Sequence, residues 1–252
     1  MIRLAPRPAC PDVLERRGPE ATAAVAQALA RGEALSFDRT VYAAPEVKQA
    51  LQRWQQGKCA FCESKVDHVA YGDVEHFRPK AGWTDDAWPA LRRPGYWWLA
   101  YDRDNLVFAC ELCNRRGKRS RFPLRPGGAR AATPDMELSA ELPMFVDPAR
   151  EDPREVIGWA GPDPFGRDVE GRGEETICSL DLRRPELRER RAEKLRLVAT
   201  LIEVLGDTRS AAHHARARAC LEVMLGPHGE YLAMAREAFG EGAMEGGRAP
   251  AG

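Results

Sequence analysis

Apolar positions recur with a helical period in several parts of this chain. After Pro45, residues Val47, Leu51 and Trp54 fall on one face at spacings of four and three. Proline suits the first helical position, and Gly57 supplies a stop, so a helix is predicted between them. From Pro185 a longer stripe runs through Leu195, Val198, Leu201, Ile202 and Leu205 and breaks at Gly206-Asp207. A second helix is predicted over about 209–225, and a short third one within 229–239. Strong helix formers also fill 20–33, after a Pro- and Arg-rich stretch over 1–20 that reads as an irregular arm. Strand character is confined to short runs. Val74 and Phe77 are strand-like, Leu106-Val107-Phe108 is a compact apolar strand, and from Glu111 the pattern turns helical up to Gly117.

Between these periodic stretches, 125–145 is rich in Pro, Gly and Ala, and 146–182 alternates turn signals with short apolar runs such as Val156-Ile157 and Ile177-Cys178. The expected organisation is an arm and helix over 1–44, a core over 45–124, a loop-rich connection over 125–182, a helical region over 183–240 and a disordered tail over 241–252. The fold class is α+β, a strand–loop–strand–helix unit within a mainly helical chain. No repeat of 20–50 residues is visible.

Composition narrows the picture. Hydrophobic residues make up 44% and charged residues 30%, as in a soluble globular protein. No apolar run approaches the ~18 residues of a membrane span, and the N-terminal stretch has no apolar leader region, so a cytoplasmic chain is expected. Lys+Arg and Asp+Glu both number 38, which excludes recruitment of a polyanion by global charge and leaves only a local patch. Seven cysteines in an intracellular chain point to metal before cross-links.

Four of them form two equal knuckles, Cys59-Ala-Phe-Cys62 and Cys110-Glu-Leu-Cys113. Each CxxC turn presents two sulfurs to one ion, so the pair predicts a structural Zn²⁺ site that closes the ends of the intervening 63–109. Cys10, Cys178 and Cys220 have no partner at ligand spacing and read as small buried hydrophobes. Inside the closed stretch lies Gly72-Asp-Val-Glu-His-Phe-Arg-Pro-Lys80. Glu75 offers a hard oxygen for Mg²⁺ or Mn²⁺, and Asn114 offers a second from the helix. His76 is mostly neutral at pH 7–8 if its pKa is the ordinary ~6.5, and so can serve as a general base. Cys113 and Asn114 diverge by about 100° on a helix, so one can face zinc while the other faces a second ion. Lys118 lies on the same face as Asn114, where an ammonium can meet a phosphate. Neighbouring strand residues point to opposite faces, so Glu75 and His76 share a site only where the strand ends.

At these residues the chain resembles the zinc-bearing branch of the HNH (ββα-metal) endonucleases. Cys59–Cys62, Glu75-His76-Phe77-Arg78-Pro79, Asn105-Leu106 and Cys110–Cys113-Asn114 match its pattern, and Lys118 falls one place later than in the shortest form. The resemblance implies a ββα-metal core with one divalent ion on Glu75 and Asn114, His76 activating water, and Asn105 fixing the loop that aims His76. Further pieces, Phe145-Val146-Asp147-Pro148, Asp152-Pro153, Glu175-Thr176-Ile177 and Leu187-Arg188…Arg191, narrow the likeness to HNH proteins of bacterial anti-phage operons, those of Septu systems and of retrons. For these the family context implies a partner ATPase of the same operon, and hydrolysis of DNA is the leading expectation.

The basic run Arg115, Arg116, Lys118, Arg119, Arg121, Arg125 and Arg130 contains no acid and starts on the helix of Asn114. With Arg78 and Lys80 it is the expected phosphate track. Acidic residues outnumber basic ones over 150–181, which disfavours phosphate there. Trp83, Trp88, Tyr96, Trp97, Trp98 and Tyr101 read as a mini-core of the long loop, the rival being a stacking platform for bases. His68, His213, His214 and His228 read as structural. Two other functions use the same features: a non-catalytic zinc module binding nucleic acid or a protein, and an HNH nuclease directed at RNA.

Overall fold

The computed structural model describes residues 1–66, 70–86, 89–207 and 210–240. His68, Trp88 and the tail 241–252 lie outside them. The elements run α1 (Asp12–Ala30), α2 (Arg39–Tyr42), α3 (Pro45–Trp54), β1 (Asp73–His76), β2 (Leu106–Ala109), a π-helix over Leu112–Lys118, β3 (Ile157–Ala160), β4 (Asp163–Gly166), α4 (Arg172–Ser179), α5 (Pro185–Asp207), α6 (Ala211–Leu225) and α7 (Leu232–Phe239). The class is α+β, with two two-stranded antiparallel sheets among the described residues. Among the described residues no helix is long and apolar enough to cross a membrane.

The helix predicted after Pro45 is present. Its stripe Val47, Leu51 and Trp54 is buried against the β1–β2 hairpin, and Gly57 at φ 74° ends the turn. The first helix starts much earlier than its composition suggested. It begins at Asp12 and runs through Pro19, because Leu14, Gly18 and Val25 are buried and Glu46 accepts from the Val13 N–H at 2.7 Å. Packing here overrides the penalty of an interior proline. The arm before it is not loose. The Arg7 guanidinium lies 4.4 Å over the Trp54 ring and donates to the carbonyls of Arg103 and Leu106 at 2.7 and 2.9 Å.

In the hairpin, Asp73 opposes Ala109, Glu75 opposes Val107 and His76 opposes Leu106. All four β2 residues are buried, which explains an apolar run with no alternation. The outer edge of β2 is covered too. Gln55 donates to the Phe108 carbonyl at 2.8 Å and accepts its N–H at 2.7 Å, and Ala60 in the first knuckle donates to the same carbonyl. Gly117 lets the π-helix approach α4, since a Cβ there would lie 3.0 Å from the Ser179 carbonyl oxygen.

The aromatic residues of the 77–105 loop form a mini-core. Tyr96, Trp97 and Tyr101 are buried, Trp83 and Trp98 half-buried, and the Tyr96 and Phe77 rings pack edge-on against Phe122. One hydrophobic cluster joins residues from Met1 to Met234, and a second, of Val198, Leu221, Leu225 and Ala235, packs α5, α6 and α7 together. The connecting region contains more structure than its turn signals indicate, namely the β3–β4 hairpin and α4. The reading of the lone cysteines as small buried hydrophobes is corrected. Cys178 and Cys220 are exposed and Cys10 half-buried, since they sit on outer helix faces or in the arm. His213 and His228 are exposed and His214 is half-buried.

A polar network ties the loop to the connecting region. Glu141, fully buried, accepts from Arg78 Nε at 2.7 Å, from the Tyr96 hydroxyl at 2.6 Å and from the Ala131 N–H at 3.1 Å. Burial and the adjacent Glu141 push the Tyr96 phenol far above its ordinary range. Removing one partner of such a pair strands the other. Glu141→Ala is therefore expected to cost about 3–5 kcal/mol of stability in urea unfolding; a loss below about 1 kcal/mol would show that the network contributes little.

Candidate metal and catalytic site

The two knuckles come together because α3 delivers Cys59 and Cys62 beside β2, and β2 runs directly into Cys110 and Cys113. The four Sγ atoms lie within 4.8 Å of one another and all four residues are buried. Cys62 Sγ and Cys110 Sγ are 3.8 Å apart. That is far beyond a disulfide bond of ~2.05 Å and matches the edge of a tetrahedron built on Zn–S bonds of about 2.3 Å. The residues thus fit a tetrahedral thiophilic ion. Hydrogen bonds from Cys110, Cys113 and Cys59 hold the Cys62 thiol well below its ordinary range. Arg184 Nη1 lies 3.8 Å from Cys113 Sγ. Burial lowers the basicity of Arg184, but the sulfurs of Cys113, Cys62 and Cys110 together outweigh it and the net shift is upward.

The strand–loop–strand–helix order places one face of β1 under the π-helix. Glu75 Oε1 accepts from Lys118 Nζ at 2.8 Å, and the same ammonium donates to the His76 carbonyl at 2.9 Å. Two residues earlier, on the same strand face, Asp73 accepts from Asn114 Nδ2 at 3.0 Å and from Arg115 at 2.7 and 2.9 Å. Asp73, Glu75 and Asn114 thus line one layer, their charge balanced by Arg115 and Lys118. Hard oxygens of this kind suit Mg²⁺ or Mn²⁺. Asp73 was missed by sequence reasoning. Its i,i+2 spacing from Glu75 on a short strand is the signal that reveals it.

His76 is the last residue of β1, and its ring meets Ala100, Lys80 and Tyr42. Its Nε2 lies 2.9 Å from the Ala100 carbonyl oxygen, so Nε2 carries the proton and Nδ1 keeps a lone pair. Lys80 Nζ donates to Nδ1 at 3.2 Å and lies 4.4 Å over the Tyr42 ring, which meets the imidazole edge-on at 4.8 Å. Burial, reinforced by the Lys80 ammonium, holds His76 well below the ordinary imidazole range. The ring is therefore neutral at pH 7. Burial also brings Lys80 down to about 8. Asn105 is buried at the far end of the loop. Its Oδ1 accepts from the Arg78 N–H at 2.7 Å, and its Nδ2 donates to the carbonyls of Arg78 and Leu99 at 3.0 and 3.1 Å. It clamps the chain just after His76 to the chain just before β2.

The basic residues divide. Lys118 and Arg78 are turned inward to Glu75 and Glu141 rather than outward to a phosphate. Arg121 is held by Glu175 and Asp86, Arg125 by Glu170, and Arg130 by Asp85 and the Tyr96 hydroxyl. Each of these neutralises an acid distant in sequence, so much of the run's charge is answered within the fold. Arg115, paired with Asp73, remains exposed, as do Arg116 in the π-helix and Arg119 just after it, and Lys80 beside His76 is half-buried.

No family model matches this chain, and no solved structure matches it. Among curated proteins it is similar to the Septu protein PtuB of Bacillus mycoides, with 35% identity over 159 residues, 62% of this chain and 53% of that relative. It is also similar to the Septu protein PtuB of Bacillus thuringiensis, with 32% identity over 83 residues, 32% of this chain and 27% of that relative. The match spans about half the length of the first relative and about a quarter of the second. Sequence similarity thus relates the chain to the Septu PtuB proteins.

Proposed function

We propose that this chain is a zinc-stabilised, Mg²⁺- or Mn²⁺-dependent HNH endonuclease that hydrolyses DNA phosphodiesters in Septu anti-phage defence, together with a partner ATPase. The likeness to Septu PtuB proteins supports the defence role. The observation that carries the hydrolytic reading is the setting of His76. A carbonyl fixes its Nε2–H, leaving Nδ1 as a proton acceptor at the end of the strand that carries Asp73 and Glu75.

Glu75 and Asn114, with Asp73 beside them, would hold a divalent ion, which would polarise the phosphoryl oxygen and stabilise the departing 3′ oxygen. The protein supplies the rest. His76 Nδ1 accepts the proton of the attacking water. Ala100 holds the imidazole through Nε2, and Asn105 fixes the turn that follows it. Lys80 leaves Nδ1 to meet the incoming phosphate, and Arg115, Arg116 and Arg119 guide the backbone. Lys118 orients Glu75 from below. The even balance of charge leaves recruitment of DNA to this small patch, which suits an enzyme completed by a partner.

Two tests follow from this reading. Cys59→Ser or Cys110→Ser is expected to lose zinc and lower the melting temperature, because the knuckles close the ends of 63–109. Unchanged zinc content and stability, by metal analysis and calorimetry, would remove the structural-zinc assignment. For the chemistry, the chain with its operon ATPase is incubated with plasmid, linear DNA and RNA in Mg²⁺, Mn²⁺ or EDTA. His76→Ala is expected to cut DNA about 10²–10⁴-fold more slowly while keeping zinc, and Glu75→Ala and Asn114→Ala are expected to lose metal-dependent cleavage. Equal rates for His76→Ala and wild type would refute the base, cleavage of RNA alone would redirect the substrate, and no cleavage in any condition would favour a binding module.

A further inference from the structure

The packing around the cysteines holds more positive charge than its acids can answer. Arg191, 1% exposed, donates through Nη1 to the Leu182 carbonyl at 2.6 Å. Its Nε and Nη2 have no hydrogen-bond partner among the described residues, and no carboxylate there pairs with it. The guanidinium rests 4.6 Å from the Trp159 ring and 5.9 Å from the Tyr231 ring, whose hydroxyl lies 3.1 Å from Ser64 Oγ, itself 3.4 Å from Cys62 Sγ. Arg184, also buried, donates to the Asp181 carbonyl at 2.9 Å and otherwise faces Cys113 Sγ. Two further buried cations use backbone acceptors. Lys58 donates to the carbonyls of Pro227 and Gly229, and Lys194 to those of Met224 and Glu230.

The carboxylate buried in this region, Glu63, is already engaged. Its Oε1 meets the Met1 amine at 2.9 Å, and its Oε2 accepts from the N–H groups of Leu232 and Ala233 at 2.7 and 3.3 Å. A cation buried without a counter-charge is strongly unfavourable. Four thiolates around one divalent ion carry a net charge of −2, which is the missing negative charge.

We infer that Arg184, just before α5, and Arg191, in its second turn, are the counter-charges of the four-cysteine zinc group, so that metal loading and the docking of α5 and α7 on the knuckles are one coupled event. The inference rests on the zinc reading above. Coupling of this kind is reciprocal: zinc holds the helices down, and the docked arginines tighten zinc. The two arginines are positioning residues for the metal, outside the hydrolytic layer.

The test compares full-length wild type with Arg184→Met, Arg191→Met and Arg191→Lys. Zinc affinity is measured by competition with a chromophoric chelator, and amide hydrogen exchange is followed with and without zinc. Each Met variant is expected to bind zinc about 10–100-fold more weakly, as other outer partners of metal ligands do, with Lys restoring most of the loss. Stripping zinc from wild type is expected to raise exchange in α5 and α7 as well as in the knuckles. Arg191→Met is expected to lower the melting temperature of the zinc-loaded chain and to leave that of the stripped chain unchanged or higher, a sign change that a purely packing role would not produce. Should Arg191→Met fail to fold, Arg184→Met and Arg191→Lys carry the same comparison. Zinc held equally tightly by all variants, with exchange confined to the knuckles, would overturn the coupling. A wild-type chain that binds no zinc would overturn the zinc reading itself.

Discussion

The convergence of four buried thiols at one point is the constraint on which the rest of this structure depends. Cys59 and Cys62 follow α3, and Cys110 and Cys113 follow β2, so bringing their sulfurs within 4.8 Å fixes where the hairpin begins and ends relative to α3. The first knuckle is tied to β2 through Ala60 and to the C-terminal region through Lys58 and Glu63. The second opens directly into the π-helix. Asn114, adjacent to Cys113, therefore inherits its position from the sulfur cluster, and Asp73 and Glu75 inherit theirs from the strand that the cluster holds in register. A site built this way needs little rigidity of its own.

The same geometry explains how charge is handled around that layer. Two carboxylates on one strand face are balanced by Arg115 and Lys118, and the His76 lone pair is met by Lys80. Lys118 is buried and serves the fold, because it ties Glu75 to the backbone of the next residue. Arg115 is 60% exposed at its side chain and Lys80 only half-buried, so both contacts are open in part to solvent. The division follows from burial rather than from residue type, since all three are cations hydrogen-bonded to side chains of β1.

Features encoded locally were legible in the sequence. The two CxxC knuckles, the strand–loop–strand–helix order, the stop at Gly57 and the stripe of α5 rest on spacing within a few residues, and the structure contains each of them. What escaped depends on partners far along the chain. Arg78 meets Glu141 across 63 residues and Lys118 meets Glu75 across 43, so a linear reading assigned both cations to phosphate. Gln55, which covers the edge of β2, pairs across 53 residues and has no local signature. Pro19 misled for the opposite reason: its local signal is strong, and the burial of Leu14, Gly18 and Val25 overrides it. Asp73 was readable from its spacing to Glu75, but its importance emerges only once Asn114 is seen to donate to it.

The central claim is that these thiols act together on one ion and thereby set the geometry of everything beside them. X-ray absorption at the zinc edge of the purified full-length chain tests it most directly. The account predicts one zinc per chain with four sulfur neighbours at about 2.3 Å and no nitrogen or oxygen in the inner shell. A metal-free chain, or zinc bound through a mixture of sulfur with nitrogen or oxygen, would contradict it.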